Sequence, residues 1–130
     1  MRHKVLVYGT LRPGAGTTRL VPGTMYDLGA YPGIKLGSPK EKRFVVVEEI
    51  EVDDDGLRRL DQYEGYSRYN PKGSLYIRMK APCGSWIYQF NDEIDKYAVV
   101  ESGDWLDYTD SVRGSAAGLG SNAKGRIYGA

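Results

Sequence analysis

Two segments near the middle of the chain, in which apolar side chains recur at every second position, constrain its fold most. In residues 74–81 and again in residues 85–90, large apolar side chains occupy every second position. This period of two is typical of a β-strand that buries one face. The residues between the segments, Pro82, Cys83 and Gly84, favour a turn. The sequence therefore predicts a β-hairpin around which the remaining elements must pack.

Further strands are predicted before the hairpin. Residues 4–8 form a short apolar run, which is typical of a strand buried on both faces. Residues 44–52 show the clearest strand pattern, although they place one acid, Glu48, on an otherwise apolar face. Residues 25–28 and 34–36 are weaker strand candidates. In contrast, residues 9–23 are rich in Gly, Thr and Pro and are expected to form a loop.

Helices are predicted at two places. Leu57, Leu60 and Tyr63 recur at helical spacing after three aspartates that can cap a helix start, and Gly65 is a natural stop. Residues 92–100 are interpreted as a second helix, and residues 103–108 as irregular structure. Residues 109–130, rich in Gly, Ser and Ala, are interpreted as a peripheral or flexible tail after a folded domain of residues 1–108.

Composition argues against several classes of function. The net charge of the 130 residues is +1, and the cations are scattered among acids, unlike the basic stripe of a nucleic-acid-binding protein. No apolar stretch has the length of a membrane span. The single cysteine cannot form an internal disulfide, which fits a reducing compartment, so a cytoplasmic location is expected. With one His and one Cys, a His/Cys metal site is not expected either.

The first strand candidate runs into a glycine-containing loop, VLVYGTLRPG, at residues 5–14. Small residues after a strand can expose consecutive backbone N–H groups that bind an anion or an oxyanion. The spacing of a phosphate-binding loop, Gly-x4-Gly-Lys-Ser/Thr, is absent. Taken alone, such a loop is more often a plain turn.

Glu64 follows the predicted helix in the segment LDQYEGY, residues 60–66. A negative charge at a helix C-terminus is unfavourable with respect to the helix dipole, and the flanking Tyr63 and Tyr66 could shield the carboxylate from water. Both effects would raise the pKa of Glu64 toward the range that a general base needs. The alternative is an ordinary, solvated surface acid.

Glu48 and Cys83 are weaker candidates for chemistry. Glu48 could lie at a sheet edge, pair with a Lys or Arg, or act as a second catalytic carboxylate facing Glu64. Cys83 lies in the predicted hairpin turn, and the one histidine, His3, is at the N-terminus. A Cys–His nucleophile pair is therefore not expected.

These motifs together resemble the γ-glutamylcyclotransferase-like family, which includes γ-glutamylamine cyclotransferase and plant AIG2-like proteins. The similarity rests on VYGTLRPG, DLGAYPG and LDQYEGY, with weaker matches at LYIR and SGDW, and covers residues 4–108. One departure is the pair Glu48-Glu49, where the family often has Gly-Glu. The resemblance implies an α+β fold, a small mixed β-barrel of about five to seven strands with short flanking helices.

The resemblance also implies a reaction and its residues. Glu64 matches the catalytic acid/base of the family, and the implied substrate-binding positions are the backbone of Tyr8, Gly9, Thr10 and Leu11 and the Tyr-x-Arg pair Tyr76 and Arg78. The implied reaction releases 5-oxoproline and a free amine from a small-molecule γ-glutamyl amine or peptide. It requires no cofactor or metal, because the α-amine of the substrate is itself the nucleophile.

Two other functions remain open from the residues. The same fold could be a catalytically silent module that binds a small metabolite or a protein. An unrelated amide-cleaving or acyl-transferring enzyme would release free glutamate instead of 5-oxoproline. The product formed, if any, therefore distinguishes the three functions.

Overall fold

The computed structural model describes residues 1–14, 17–37 and 42–111. Four strands precede the first helix and three more precede the second, and a short 3₁₀ turn is formed by Pro71–Gly73. The elements are β1 (Arg2–Val7), β2 (Thr18–Asp27), β3 (Pro32–Leu36), β4 (Phe44–Asp53), α1 (Asp54–Tyr63), β5 (Tyr76–Lys80), β6 (Trp86–Phe90), β7 (Ala98–Val100) and α2 (Trp105–Ser111).

The seven strands of the described residues form one mixed sheet that curls into a partly closed barrel. Six strands lie in the order β3-β2-β4-β1-β6-β5, and β7 pairs with β2. The β1–β6 pair is parallel, and the other pairs are antiparallel. Curling brings β3 to β6, where Lys35 Nζ donates to the Phe90 carbonyl at 2.6 Å and the Leu36 N–H donates to Gln89 Oε1 at 2.8 Å. The predicted small mixed barrel with short helices is therefore confirmed.

The strands predicted at residues 4–8, at residues 44–52 and in the hairpin are present. β1 pairs with β4 along its length, ending with Val7 opposite Glu48. β5 and β6 form the hairpin, and the Gly84 N–H closes its turn on the Ala81 carbonyl at 2.8 Å. The apolar run of residues 4–8 and the alternation in the other segments thus locate these strands, because each one buries one or both of its faces.

Helix α1 begins and ends where the sequence predicts. The Asp53 side chain caps its start by accepting a hydrogen bond from the Gly56 N–H at 2.7 Å, and Leu57 is buried beneath it. Gly65 has a φ of +69°, a left-handed conformation that favours glycine and ends the helix. Glu64 is consequently held at the C-terminus of a helix that lies against β4 and β1.

β2 shows that the expectation of a loop over residues 9–23 is wrong for residues 18–23. The strand begins at Thr18, and its first half pairs with β4, with Thr18 opposite Glu48. Its second half pairs with both β3 and β7. Pairing with three strands outweighs the weak strand preference of Pro22 and Gly23, because strand stability depends mainly on the neighbouring strands.

Two predictions near the C-terminal end of the described chain are also wrong. Residues 92–100 do not form a helix, since β7 pairs there with β2 and places Val100 opposite Met25. Residues 103–108 are not irregular, because α2 begins at Trp105. The Asp104 carboxylate accepts a hydrogen bond from the Asp107 N–H at 3.1 Å and so caps the first turn. Tertiary contacts explain both elements, since Val100 and Trp105 are buried in one apolar cluster.

Apolar clusters lie on both faces of β1. Leu6 packs in a cluster with Trp105 of α2, whereas Val5 and Val7 pack in a second cluster with Leu57 of α1. Adjacent residues of a strand point to opposite faces, so β1 is buried on both sides, as its apolar run predicts. The end of β1 is therefore a rigid support for the loop that follows it.

The predicted domain boundary at residue 108 falls inside α2, which continues to Ser111. Residues 112–130 of the predicted tail lie outside the described residues. Among the residues that are described, no helix combines the length and the apolar composition needed to cross a membrane.

Candidate active site

The opening loop, residues 8–14, follows β1 and is anchored to β6 by its first residue. Tyr8 is fully buried, and its hydroxyl donates to the Tyr88 carbonyl at 2.6 Å. The Gly9 carbonyl accepts from the Arg12 N–H at 3.1 Å, which closes a turn around Thr10 and Leu11. The loop predicted to present backbone donors is thus a defined turn anchored at its first residue.

Glu64 is buried at the C-terminus of α1. Its backbone N–H donates to the Leu60 carbonyl at 2.8 Å, and the residue is 0% exposed. This placement contradicts the alternative of a solvated surface acid. The helix end therefore delivers a carboxyl group into the protein interior.

The charge of Glu64 acts on three buried tyrosines. Burial raises the pKa of Tyr8, Tyr76 and Tyr88 above the ordinary value, and the charge of Glu64 adds to each shift. Glu64 and Tyr8, the first residue of the opening loop, are thus both fully buried and electrostatically coupled. The two tyrosines that flank Glu64 in sequence are only half-buried.

Tyr76 and Arg78 lie on β5 and are both held by contacts within the fold. The Tyr76 hydroxyl donates to the Pro32 carbonyl at 2.6 Å, which ties β5 to β3. The Arg78 guanidinium lies 4.2 Å from the ring centroid of Trp86. Arg78 Nε and Asp61 Oδ1 form an ion pair at 2.8 Å, but the Nε–H bond does not point at the oxygen, so the contact is not a hydrogen bond. The Tyr76 hydroxyl and Arg78 Nε thus already have partners within the fold.

Asp61 and Tyr88 form a bonded pair that the sequence interpretation did not identify. The Tyr88 hydroxyl donates to Asp61 Oδ1 at 2.6 Å. Asp61 precedes Glu64 by three residues on α1, and residues at this spacing share a helix face. That spacing is the signal in the sequence that could have found Asp61. Nothing local marks Tyr88, which is one of several inward-facing aromatic residues of the hairpin.

Glu48 is bound by the opening loop. Its side chain is 2% exposed, its Oε2 accepts from Arg12 Nε at 2.7 Å, and the Gly14 N–H donates to its Oε1 at 3.1 Å. Arg12 also bonds Asp104, whose Oδ1 accepts from Nη1 at 2.9 Å. Of the alternatives considered for Glu48, pairing with a basic residue is the one that the structure shows. Arg12 was not identified from the sequence.

A polar groove of about 460 Å³ lies beside this loop. It is open to solvent, and it carries both acidic and basic side chains. The residues that line it are Lys4, Pro13, Thr17, Arg19, Glu48, Glu49, Cys83 and Ser85. Glu48 thus lies between the groove and the opening loop.

Cys83 is exposed at the rim of this groove. Partial burial acts to raise the pKa of the Cys83 thiol, but hydrogen bonds from Ser85 and the charge of Arg19 outweigh it, so the pKa is lowered. The ring of His3 is bonded to Asp54 at 2.6 Å, not to the thiol. Across residues 1–14, 17–37 and 42–111, no three His, Cys, Asp or Glu side chains are grouped to hold a metal ion.

A family model matches most of the chain. The model is that of the γ-glutamyl cyclotransferase, AIG2-like family, and it matches residues 5–107. The chain belongs to this family. The matched part of this γ-glutamyl cyclotransferase family member contains the opening loop, Glu64 and the SGDW segment, so the resemblance noted from the sequence is confirmed.

Curated relatives and a solved structure agree with the family assignment. A protein from Vibrio cholerae is 31% identical over 119 residues, 81% of this chain and 96% of that protein. The γ-L-glutamyl-butirosin B γ-glutamyl cyclotransferase of Niallia circulans is 27% identical over 124 residues, 80% of this chain and 76% of that enzyme. The crystal structure of YkqA from Bacillus subtilis superposes with a TM-score of 0.64 at 18% identity, covering 88% of this chain and 43% of YkqA, which shows the shared fold.

Proposed function

We propose that this protein is a cofactor-free γ-glutamylcyclotransferase that converts a γ-glutamyl amine or peptide into 5-oxoproline and a free amine. The observation that carries the proposal is the complete burial of Glu64 and of Tyr8, the first residue of the opening loop, on which the charge of Glu64 acts. The reaction requires at least a carboxyl group that transfers protons and a turn of backbone N–H groups that binds the oxyanion. The substrate is a small molecule, and the single cysteine is consistent with a cytoplasmic enzyme.

The reaction is an intramolecular aminolysis. The α-amine of the γ-glutamyl group attacks its own γ-carbonyl carbon, and a new C–N bond closes a five-membered lactam. The original amide C–N bond then breaks. The α-nitrogen loses two protons on passing from the ammonium to the lactam N–H, and the leaving amine takes up one as its bond breaks and a second to become an ammonium ion. No water or protein nucleophile is consumed, so the protein needs only to fold the substrate and to move protons between the two nitrogens.

Glu64 moves these protons in turn. Its carboxylate accepts a proton from the substrate ammonium, passes it to the leaving amine, and is then free to accept the second proton from the α-nitrogen. Burial disfavours the charged form of a carboxyl group, which brings its proton affinity closer to that of the groups it serves. The buried tyrosines around Glu64 keep bulk water away from the same step.

The opening loop binds and polarises the substrate. The backbone of Tyr8, Gly9, Thr10 and Leu11 holds the γ-glutamyl group, and its N–H groups donate to the oxyanion that develops on the γ-carbonyl oxygen. Tyr76 and Arg78 shape the wall of the site. Donors held in place by the fold stabilise this charge without the reorganisation that water would require.

The free α-amine of the substrate provides the test. Glutathione, γ-glutamyl-alanine and γ-glutamyl-ε-lysine are each compared with a form whose α-amine is acetylated. We expect 5-oxoproline from at least one free-amine compound and none from its acetylated form, which should still compete as an inhibitor. Free glutamate from both forms would contradict cyclisation and indicate a hydrolase. Binding without turnover would indicate a silent binding module.

A further inference from the structure

Arg12 joins three parts of the fold beneath the opening loop. It is a loop residue, yet its side chain is only 5% exposed. Nε donates to Glu48 on β4 at 2.7 Å, and Nη1 donates to Asp104, just before α2, at 2.9 Å. Such enclosure is unusual for an arginine, because a buried guanidinium requires charged partners to replace water.

Glu48 lies where the loop leaves the sheet and where it returns. Its backbone is opposite Val7, the last residue of β1, and also opposite Thr18, the first residue of β2. Its carboxylate binds the Arg12 side chain and the Gly14 N–H together. One buried carboxylate therefore holds the loop through a side chain and through the backbone two residues later.

We propose that Arg12 is a positioning residue that fixes the opening turn in the conformation that presents its backbone N–H groups to the substrate. This inference rests on the proposed cyclotransferase function. The Arg12 backbone N–H closes the turn on Gly9 while its side chain is held by Glu48 and Asp104. The peptide planes of Thr10 and Leu11 lie between these fixed points. Donors to an oxyanion act only when such planes are held close to their productive orientation.

The geometry requires an arginine. The guanidinium presents Nε and Nη1 to two carboxylates on different elements, whereas a lysine ammonium is a single point charge on a flexible chain. Arg12→Lys retains the charge but cannot reproduce both directed bonds. Arg12→Ala removes the charge and leaves two carboxylates facing each other.

Hydrogen exchange tests the positioning without requiring turnover. Arg12→Lys and Arg12→Ala are compared with Arg19→Ala, which removes an equally short ion pair to Glu49 that is half-exposed on the neighbouring strands. We expect exchange in the peptide spanning residues 8–14 to be about tenfold faster in both Arg12 variants and unchanged in Arg19→Ala. Unchanged exchange in Arg12→Lys, the variant more certain to fold, would overturn the proposal.

Kinetics test whether the turn serves catalysis. We expect Arg12→Ala to lower kcat by about 100-fold and Arg12→Lys by about tenfold, with KM changed much less, because oxyanion donors act in the transition state. Added methylguanidine should restore part of the Arg12→Ala activity. A kcat equal to that of the wild type, in a variant with accelerated loop exchange, would overturn the catalytic role. Absence of 5-oxoproline from wild-type protein would instead contradict the proposed function, and the exchange experiment would still decide whether Arg12 holds the loop.

Discussion

Glu64→Gln is expected to lower kcat/KM for a γ-glutamyl substrate by about 10²- to 10⁴-fold, the usual contribution of a general acid–base group. The amide has nearly the same shape as the carboxyl group, so the buried site at the end of α1 should remain packed. It cannot, however, accept a proton from the substrate ammonium or return one to the leaving amine. The measurement is steady-state release of 5-oxoproline at matched protein concentrations.

Glu51→Gln is the matched control for this variant. Glu51 is an exposed acid on β4, and its replacement removes one negative charge without altering the buried region. Its activity should equal that of the wild type. Activity of Glu64→Gln within about threefold of the wild type would exclude Glu64 as the acid/base, since loss of such a group costs at least about 10²-fold. Glu48, which is also buried, would then be the residue to test.

Gly103→Ala is expected to be the most damaging small substitution for stability. Gly103 has a φ of +67°, and a Cβ at this position would collide with the Phe44 carbonyl oxygen of β4. The Gly103 carbonyl also accepts from the Val46 N–H at 2.8 Å, so the segment cannot move away without losing this bond. We expect a loss of at least about 3 kcal/mol in the free energy of unfolding, measured by urea denaturation.

Gly84→Ala separates the two causes of this loss. Gly84 also has a positive φ, +93°, but a Cβ there would meet no atom within 4 Å. It should therefore cost only the backbone strain, about 1–2 kcal/mol. Equal losses in Gly103→Ala and Gly84→Ala would contradict the role assigned to the close approach of Gly103 to β4. The SGDW segment is thus explained by packing at Gly103 and by capping at Asp104.

The sequence predicted elements whose stabilising contacts are local or regularly repeated. The hairpin and β4 follow from alternation, and α1 follows from its Asp53 cap and the stop at Gly65. The first part of β2 was missed because Pro22 and Gly23 disfavour a strand, and β7 was missed because it is only three residues long. Each of these strands forms by pairing with partners distant in sequence. α2 was missed because its capping residue also belongs to a turn-like Ser-Gly-Asp sequence.

The candidate site likewise contains some residues that the sequence predicted and others that it did not. Glu64 and the Tyr8 turn are marked by short motifs, and a family pattern connects them. The Arg12 contacts join residues 36 and 92 positions apart, and the Tyr88 hydroxyl bonds an aspartate 27 positions away. Such pairs have no periodicity along the chain. They become visible only when the curled sheet brings the strand ends together.

Turnover in water enriched in heavy oxygen tests the central claim most directly. Intramolecular attack by the α-amine retains the original γ-carbonyl oxygen, so the product should be 5-oxoproline of unaltered mass. This label-free 5-oxoproline should disappear with Glu64→Gln. Glutamate carrying heavy oxygen in its γ-carboxylate, formed at the rate of substrate loss, would show that water is the nucleophile and would contradict cyclisation.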